Sequence, residues 1–308
     1  PSLRIGLVQA NMGTYQKRSE PEEGHRRHLT DSQALQAQGV DLIVWPESAY
    51  VYILPAHTGS NVYAQVMQRP DVAGDIHTPL LFGALRREGA KGSRPIDHNT
   101  AFLVDAAGNV QGTYDKTYLL AFGEYLPFGD TFPWLYDISP HSGRFTPGSR
   151  LDALPFQGRR IGVLVCYEDV LPGFTRKLMR ASQPDLLVNI TNDAWFGETT
   201  EPEIHLALSV FRAVEHRRWL VRSTNSGISA FVDPVGRVVS RSGLQTRETL
   251  VGTVRWQSGT TLYTVLGDWP GWLALAAVAW AFYRMGRHGH LKLRRAKDQR
   301  GVKVKKGK

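Results

Sequence analysis

The 308-residue chain has one cysteine, Cys166. It can therefore form no intramolecular disulfide and no cysteine-based zinc site. It has no Gly-rich phosphate loop and no dinucleotide fingerprint, which removes the nucleotide-binding classes recognised in that way. Ten histidines are present without paired metal-ligand spacing. Two of them, His25 and His28, lie in an Arg-rich stretch and read as a solvated helix face. Neither a metal nor a cofactor is expected. Excess positive charge is absent from most of the chain. Residues 284–308 hold eleven Lys or Arg against one acid, Asp298, leaving 26 basic and 27 acidic residues elsewhere. A nucleic-acid-binding domain would spread its basic residues over the folded surface, with aromatics between them, so no nucleic-acid partner is expected.

With 42% hydrophobic and 21% charged residues the composition is that of a globular protein with ample core. Apolar runs suited to strands occur at 3–10, 42–45, 80–85, 101–105, 161–166, 186–191, 220–232 and 250–256, with helices expected at 22–38, 172–181 and 201–217. Val104–Val110 and Val232–Val238 share a D-x-x-G-x-V pattern, which predicts two tight hairpins with glycine supplying positive φ. Helices alternating with strands, plus hairpins, give mixed sheets covered by helices.

Cys166 ends the run Ile161-Gly162-Val163-Leu164-Val165, where a core strand stops and a polar loop begins. Free cysteine is often just a small buried hydrophobe, but α/β enzymes also place nucleophiles at such strand ends. Two other segments favour the second reading. Val40-Asp41-Leu42-Ile43-Val44-Trp45-Pro46-Glu47 is a strand broken by proline with a carboxylate at its end. Tyr114–Pro127 sets Lys116 and Glu124 among aromatics and leucines. A thiol needs a neighbouring base or cation to become a thiolate near neutral pH, and a cation also stabilises the oxyanion of a tetrahedral intermediate.

These segments resemble the nitrilase, or carbon–nitrogen hydrolase, superfamily with its Glu-Lys-Cys triad, and within it the apolipoprotein N-acyltransferases. The similarity covers most of residues 3–255. WPES carries Glu47, YDKTYLLAFGEYLPFG carries Lys116 and an accessory glutamate, Glu124, and VCYED carries Cys166. NDAWFG (192–197) and RSTNSGISAFVDPVGRV (222–238) match two further segments. Ala121 stands where many relatives have proline, a change in loop stiffness more than in chemistry. The resemblance implies a four-layer α-β-β-α sandwich. It also implies a ping-pong acyl transfer through a Cys166 thioester, from a phospholipid to the α-amino group of a diacylglyceryl apolipoprotein. Glu47 would act as base and Lys116 as oxyanion donor, while Glu124 orients Lys116 or shuttles protons. Tyr167, Glu168, Asn192, Trp195 and Phe196 are candidate substrate-binding residues; packing beside the site is the simpler reading for the last three. Arg222, Asn225 and Ser226 are expected to satisfy buried loop backbone.

Trp269–Tyr283 has no charge, carries aromatics at both ends and runs into Arg284 and Arg287. As a helix it would be roughly 22 Å long against the ~30 Å hydrocarbon core. Aromatic belts and snorkelling cations can extend a short span, so a transmembrane helix is expected, with an interfacial or core helix as the alternative. The organisation expected is a catalytic domain over 1–257, a linker over 258–267, a membrane helix over 268–286 and a basic tail over 287–308. Positive-inside placement of the tail would put the catalytic domain on the periplasmic side of a bacterial inner membrane. The chain opens at Pro1 without Met or signal peptide, so an upstream region is expected, and the resemblance implies several membrane helices there. Segments 15–23, 51–61 and 128–136 mix apolar and aromatic residues. The second and third read either as buried short helices or as apolar loops that dip into lipid or cover an acyl pocket. Two other functions stay open: a membrane-anchored amidase or nitrilase acting on a small amide, and a catalytically silent, membrane-tethered binding domain.

Overall fold

Alternation sets the first strand, β1 (Ser2–Gln9). Leu3, Ile5 and Leu7 enter one apolar cluster while Val8 enters another on the opposite face, as the two-residue period of a strand requires. The computed structural model describes residues 2–56, 66–67, 75–89 and 95–305. It falls into two compact units, Pro1–Thr264 and Val265–Lys308.

In the first unit, two helices follow β1: α1 (Thr14–Ser19) and α2 (Pro21–Ala37). Proline opens α2, Glu22 and Glu23 occupy its first turn, and Gly39 follows its end with φ 70°, which is the usual asymmetry of helix termini. Next come β2 (Leu42–Val44), β3 (Tyr50–Pro55), β4 (Leu80–Glu88), β5 (Ile96–Val104) and β6 (Val110–Asp115). After the short α3 (Leu135–Ile138) lie β7 (Leu154–Phe156), β8 (Arg159–Val165), α4 (Pro172–Ser182), β9 (Leu186–Thr191) and α5 (Glu201–His216). The unit is completed by β10 (Leu220–Thr224), β11 (Ala230–Val232), β12 (Val238–Arg241) and β13 (Glu248–Arg255), and α6 (Leu262–Leu266) begins at its end.

The strands form two mixed sheets. One has the order β13-β1-β2-β4-β5-β6, with β3 added parallel to β4; the other has the order β12-β11-β10-β9-β8-β7. Three apolar clusters define four layers. Between the sheets, Ile5 of β1, Val44 of β2 and Leu81 of β4 share one cluster with Ile161, Val163, Val188 and Val221 of the second sheet. Leu29 and Leu35 of α2 cover the outer face of the first sheet over Ile43, Phe82 and Val104. Leu178 of α4 and Leu206 and Ala213 of α5 cover the second over Leu164, Leu187 and Leu220. The layering is the expected α-β-β-α. Ser223 Oγ, donating to Val44 O at 3.2 Å, adds a polar link between the sheets.

Both D-x-x-G-x-V hairpins form. Asp105 Oδ1 accepts from the backbone N–H of Ala107 and Asn109, and Asp233 Oδ1 accepts from Val235 and Arg237. Gly108 and Gly236 have φ 80° and 86°.

Several expectations are corrected. The run 220–232 is two antiparallel strands, β10 and β11, because residues 225–229 reverse the chain. Val51–Leu54 is neither helix nor loop but part of β3, with Tyr52 and Ile53 exposed; the end of that segment, through Asn61, lies outside the described residues. Segment 15–23 is largely helical, in α1 and the start of α2. His25 and His28 are buried rather than solvated. His25 Nε2 lies 2.7 Å from Val66 O, and His28 Nδ1 lies 2.7 Å from Gly24 O. Both rings pack against Trp45.

In the second unit α7 runs from Trp269 to Lys305. The expected transmembrane helix over 268–286 is not supported: among the described residues no helix is long and apolar enough to cross a membrane. The uncharged stretch is too short for the hydrocarbon core, and its Trp, Tyr, Pro and Gly residues dilute its hydrophobicity. The sidedness read from the basic tail depended on that span and goes with it.

Candidate active site

The chain leaves β2 through Trp45, whose N–H donates to Leu81 O at 2.8 Å, and Pro46, whose carbonyl accepts from Gly83 N–H at 3.3 Å. Pro46 has no N–H to continue the ladder, and Glu47 lies at the sheet end, 7% exposed. This exit passes very close to β4. A Cβ on Gly83 would sit 2.8 Å from Glu47 Cα and 2.7 Å from Ser48 N, so only glycine lets the two backbones approach.

Lys116 follows β6 directly and is buried. Its N–H donates to Asn99 O, and its carbonyl accepts from Gly148, both at 2.8 Å. Its ammonium stands between two carboxylates, 2.7 Å from Glu124 Oε2 and 3.4 Å from Glu47 Oε1. Burial opposes the Lys116 charge, but Glu47, Cys166 and Glu124 outweigh it and hold its pKa well above the ordinary value. Glu124 is carried by the loop after β6 and is fixed there by the N–H of Leu120 at 2.8 Å.

Cys166 begins a 3-10 turn, Cys166–Val170, at the end of β8 and has φ 52°. A left-handed backbone costs a non-glycine residue about 1–2 kcal/mol. Such strain recurs where a fold aims a functional side chain. Cys166 is partly exposed. Burial of its sulfur and the charge of Glu47 push the thiol pKa far up, against Lys116 and a hydrogen bond to Thr191. The resting group is therefore a thiol that needs a base.

Sequence reading missed Asn99. Its Nδ2 donates to Glu47 Oε1 at 2.7 Å and to Glu124 Oε1 at 2.8 Å, so one amide ties both carboxylates together. The only hint in the sequence is a polar run, Asp97-His98-Asn99-Thr100, leading into an apolar strand.

The remaining candidates divide. Tyr167 is exposed beside Cys166. Glu168 is fully buried, and its carboxylate accepts from Val165, Thr117 and Tyr118 N–H at 2.7–2.9 Å and from Tyr114 OH. It braces the lysine loop against the cysteine turn and offers no free oxygen to a ligand. Burial pushes its pKa up to about 7, against those backbone hydrogen bonds. Asn192 caps a second 3-10 turn and accepts from Asn225 Nδ2 at 3.1 Å. Trp195, 67% exposed, and Phe196 follow it on the surface. Asn225 satisfies loop backbone as expected, at Met12 N and O. Arg222 does not; it pairs with Asp169 and Asp193. The loop carrying Glu124 exposes Tyr118, Leu120, Phe122, Tyr125, Phe128 and Trp134.

Asp193, Glu201 and His205 are the one group with metal-ligand spacing among the described residues, their ligand atoms within 4.8 Å of one another. Arg222 already occupies Asp193, and both ring nitrogens of His205 face carboxylates, so the group does not fit a metal ion.

Two stacked sheets with Glu, Lys and Cys at strand ends define a class. The carbon-nitrogen hydrolase family model matches residues 4–262, and the chain belongs to that family. Among curated relatives, the apolipoprotein N-acyltransferase of Geobacter metallireducens is 38% identical over 239 residues, covering 78% of this chain and 44% of the relative. That of Bdellovibrio bacteriovorus is 35% identical over 300 residues, covering 91% of this chain and 54% of the relative. The chain thus spans about half the length of the curated relatives it matches. Among solved structures, a nitrilase-superfamily amidase from Nesterenkonia aligns with TM-score 0.55 and 22% identity, covering 82% of this chain and 89% of that one. The glutamine-dependent NAD+ synthetase of Acinetobacter baumannii aligns with TM-score 0.59 and 14% identity, covering 85% and 48%. These two likenesses concern the fold.

Proposed function

We propose that this protein transfers an acyl chain from a phospholipid to the α-amino group of the lipidated N-terminal cysteine of an apolipoprotein, through a thioester on Cys166. Glu47 accepts the thiol proton as Sγ attacks the ester carbonyl. Lys116 donates to the tetrahedral oxyanion, and collapse expels the lysophospholipid oxygen, which takes the proton from Glu47. The acceptor amine then attacks the thioester, Glu47 receives the amine proton, and the Cys166 thiolate leaves and recovers it. Splitting one transfer into two is the purpose of covalent catalysis. Asn99 and Glu124 keep Lys116 and Glu47 in register throughout.

The observation that carries this reading is the buried Lys116 locked between Glu47 and Glu124 and electrostatically coupled to the sole cysteine. Two others favour a lipid donor over a small amide. The Glu124 loop exposes aromatic and aliphatic side chains in unusual number, Phe122 at 68% and Phe128 at 75%, and exposed Tyr167 and Trp195 follow Cys166 and Asn192 in sequence. Exposed apolar clusters of this kind mark lipid or partner contact. The first half of α7 exposes Trp272, Leu273, Leu275, Val278 and Trp280 and runs into basic residues, a composition suited to the interface of an anionic bilayer. In this reading the protein works at the surface of the bacterial inner membrane. Tyr167, Trp195 and Phe196 line the acyl path.

The test is transfer itself. Phospholipid vesicles carrying a labelled acyl chain, together with a diacylglyceryl lipopeptide, are incubated with the protein. Label is expected as an amide on the lipopeptide. Release of ammonia from small amides, with no label moved, would make the amidase reading the correct one.

A further inference from the structure

A buried ionic cluster that the acyl-transfer steps do not use lies behind the Cys166 turn. Asp169 belongs to that turn, and Asp193 belongs to the loop after β9. Arg222 of β10 bridges them, Nη1 to Asp169 Oδ2 at 2.7 Å and Nη2 to Asp193 Oδ2 at 3.0 Å. His205 of α5 bridges the same pair, Nε2 to Asp169 Oδ1 at 2.9 Å and Nδ1 to Asp193 Oδ1 at 3.0 Å. Ser209 OH donates to Asp169 as well. The cluster reaches the nucleophile along two routes. Asp169 is three residues from Cys166 in one turn. Arg222 Nη1 also donates to Asn189 Oδ1 at 2.8 Å, and Asn189 Nδ2 donates to the Cys166 carbonyl at 3.1 Å. The cluster's side chains are all buried.

Each ring nitrogen of His205 therefore faces a carboxylate oxygen. Ionised carboxylates only accept, and a neutral imidazole has one N–H to give. Only the imidazolium satisfies both contacts, and it makes the cluster two cations against two anions. Burial and Arg222 oppose that charge, yet Asp169 and Asp193 outweigh them and bring His205 up to about 9. The other charged group facing the ring is Glu201 on the same helix, 3.9 Å from Nδ1.

We propose that His205 is a positioning residue for the Cys166 nucleophile, clamping Asp169 to Asp193 through its two ring nitrogens. Loss of its proton opposes one carboxylate to a ring lone pair and leaves net negative charge beneath the cysteine turn. The turn that holds Cys166 in its left-handed backbone loses its brace, and formation of a thiolate nearby is disfavoured. The inference rests on the reading of Cys166 as nucleophile. Asp193 and Glu201 face the same ring, so a neutral substitute leaves uncompensated acid there too.

Because Cys166 is the only cysteine, alkylation by iodoacetamide followed by intact mass reads it alone. In the wild-type protein the alkylation rate rises with pH and breaks near the pH at which His205 loses its proton. His205→Gln should react about tenfold more slowly at pH 7.5, the effect of roughly one unit added to the thiol pKa by an uncompensated charge, and should lack the break. His205→Lys, which keeps the charge, should recover most of the rate. A folded His205→Gln with the wild-type rate and pH profile would overturn the proposal. If the variants do not fold, nitrogen NMR of His205 in the wild-type chain decides: both ring nitrogens protonated at pH 7 supports the clamp, and a neutral ring refutes it. Failure of the nucleophile reading would show separately, as acyl transfer surviving in Cys166→Ser, and would leave the NMR result unchanged.

Discussion

Lys116 holds two carboxylates on one ammonium, and that arrangement gives its neighbours different jobs. Glu47 can take a proton; Lys116, held above its ordinary pKa by Glu47, Cys166 and Glu124 against the cost of burial, cannot lose one near neutrality. Glu47→Gln should slow thioester formation by about 10²–10⁴-fold, with partial relief at high pH as thiolate forms unaided. Lys116→Ala should cost about 2.7–4 kcal/mol of barrier with no relief by pH, because the missing charge does not titrate. Rapid-quench measurement of acyl-enzyme formation across pH separates the two, and identical profiles would contradict these roles. Asn99 is the third member. Both of its donor bonds go to carboxylates, so Asn99→Ala should lower stability by about 1.5–3 kcal/mol. Thermal melts alongside the acylation rate check this; a variant unchanged in both would show that the amide does nothing for the site.

At the scale of elements, the strand ends do the aiming, and one glycine shows how tightly. Gly83→Ala would press a methyl on the backbone of Glu47 and Ser48. Neither neighbour is a flexible side chain that could move aside. The substitution should cost about 1–3 kcal/mol and should slow acylation more than its loss of stability explains, because it shifts Glu47. Measuring both at a temperature where the variant is folded tests that. The same elements explain what the sequence can and cannot say. Glu47, Lys116, Glu124 and Cys166 are legible because each lies beside an apolar run and its break, and such breaks are local. Asn99 is not, since its importance lies in reaching two residues, 52 and 25 positions away. Arg222 reads in sequence as a loop-satisfying side chain for the same reason; its partners come from the turn after β8 and the loop after β9. The strands β3 and β7 are hidden because pairing, not composition, makes them strands. His25 and His28 read as solvated because of their Arg-rich neighbourhood, while the ring of Trp45 from another element covers them.

The whole molecule couples these parts through charge. His205, raised to about 9 from its ordinary 6.5, contributes stability that is fully present below about pH 6.5 and is lost as pH rises through about 9. The melting-temperature gap between wild type and His205→Gln should be widest in acid and narrow across that window. Lys17, held down to about 8 by burial, titrates in both proteins and cancels from the difference. A gap that is constant with pH would mean that His205 is neutral in the folded chain. The central claim is that the sole thiol carries the acyl group between two lipids. It is tested most directly by intact-mass analysis of the protein after exposure to phospholipid vesicles without acceptor. The account predicts a single acyl adduct on Cys166, released by hydroxylamine, discharged on adding the lipopeptide amine and absent from Cys166→Ser. No adduct under conditions where the lipopeptide becomes acylated, or an adduct that persists in Cys166→Ser, would contradict it.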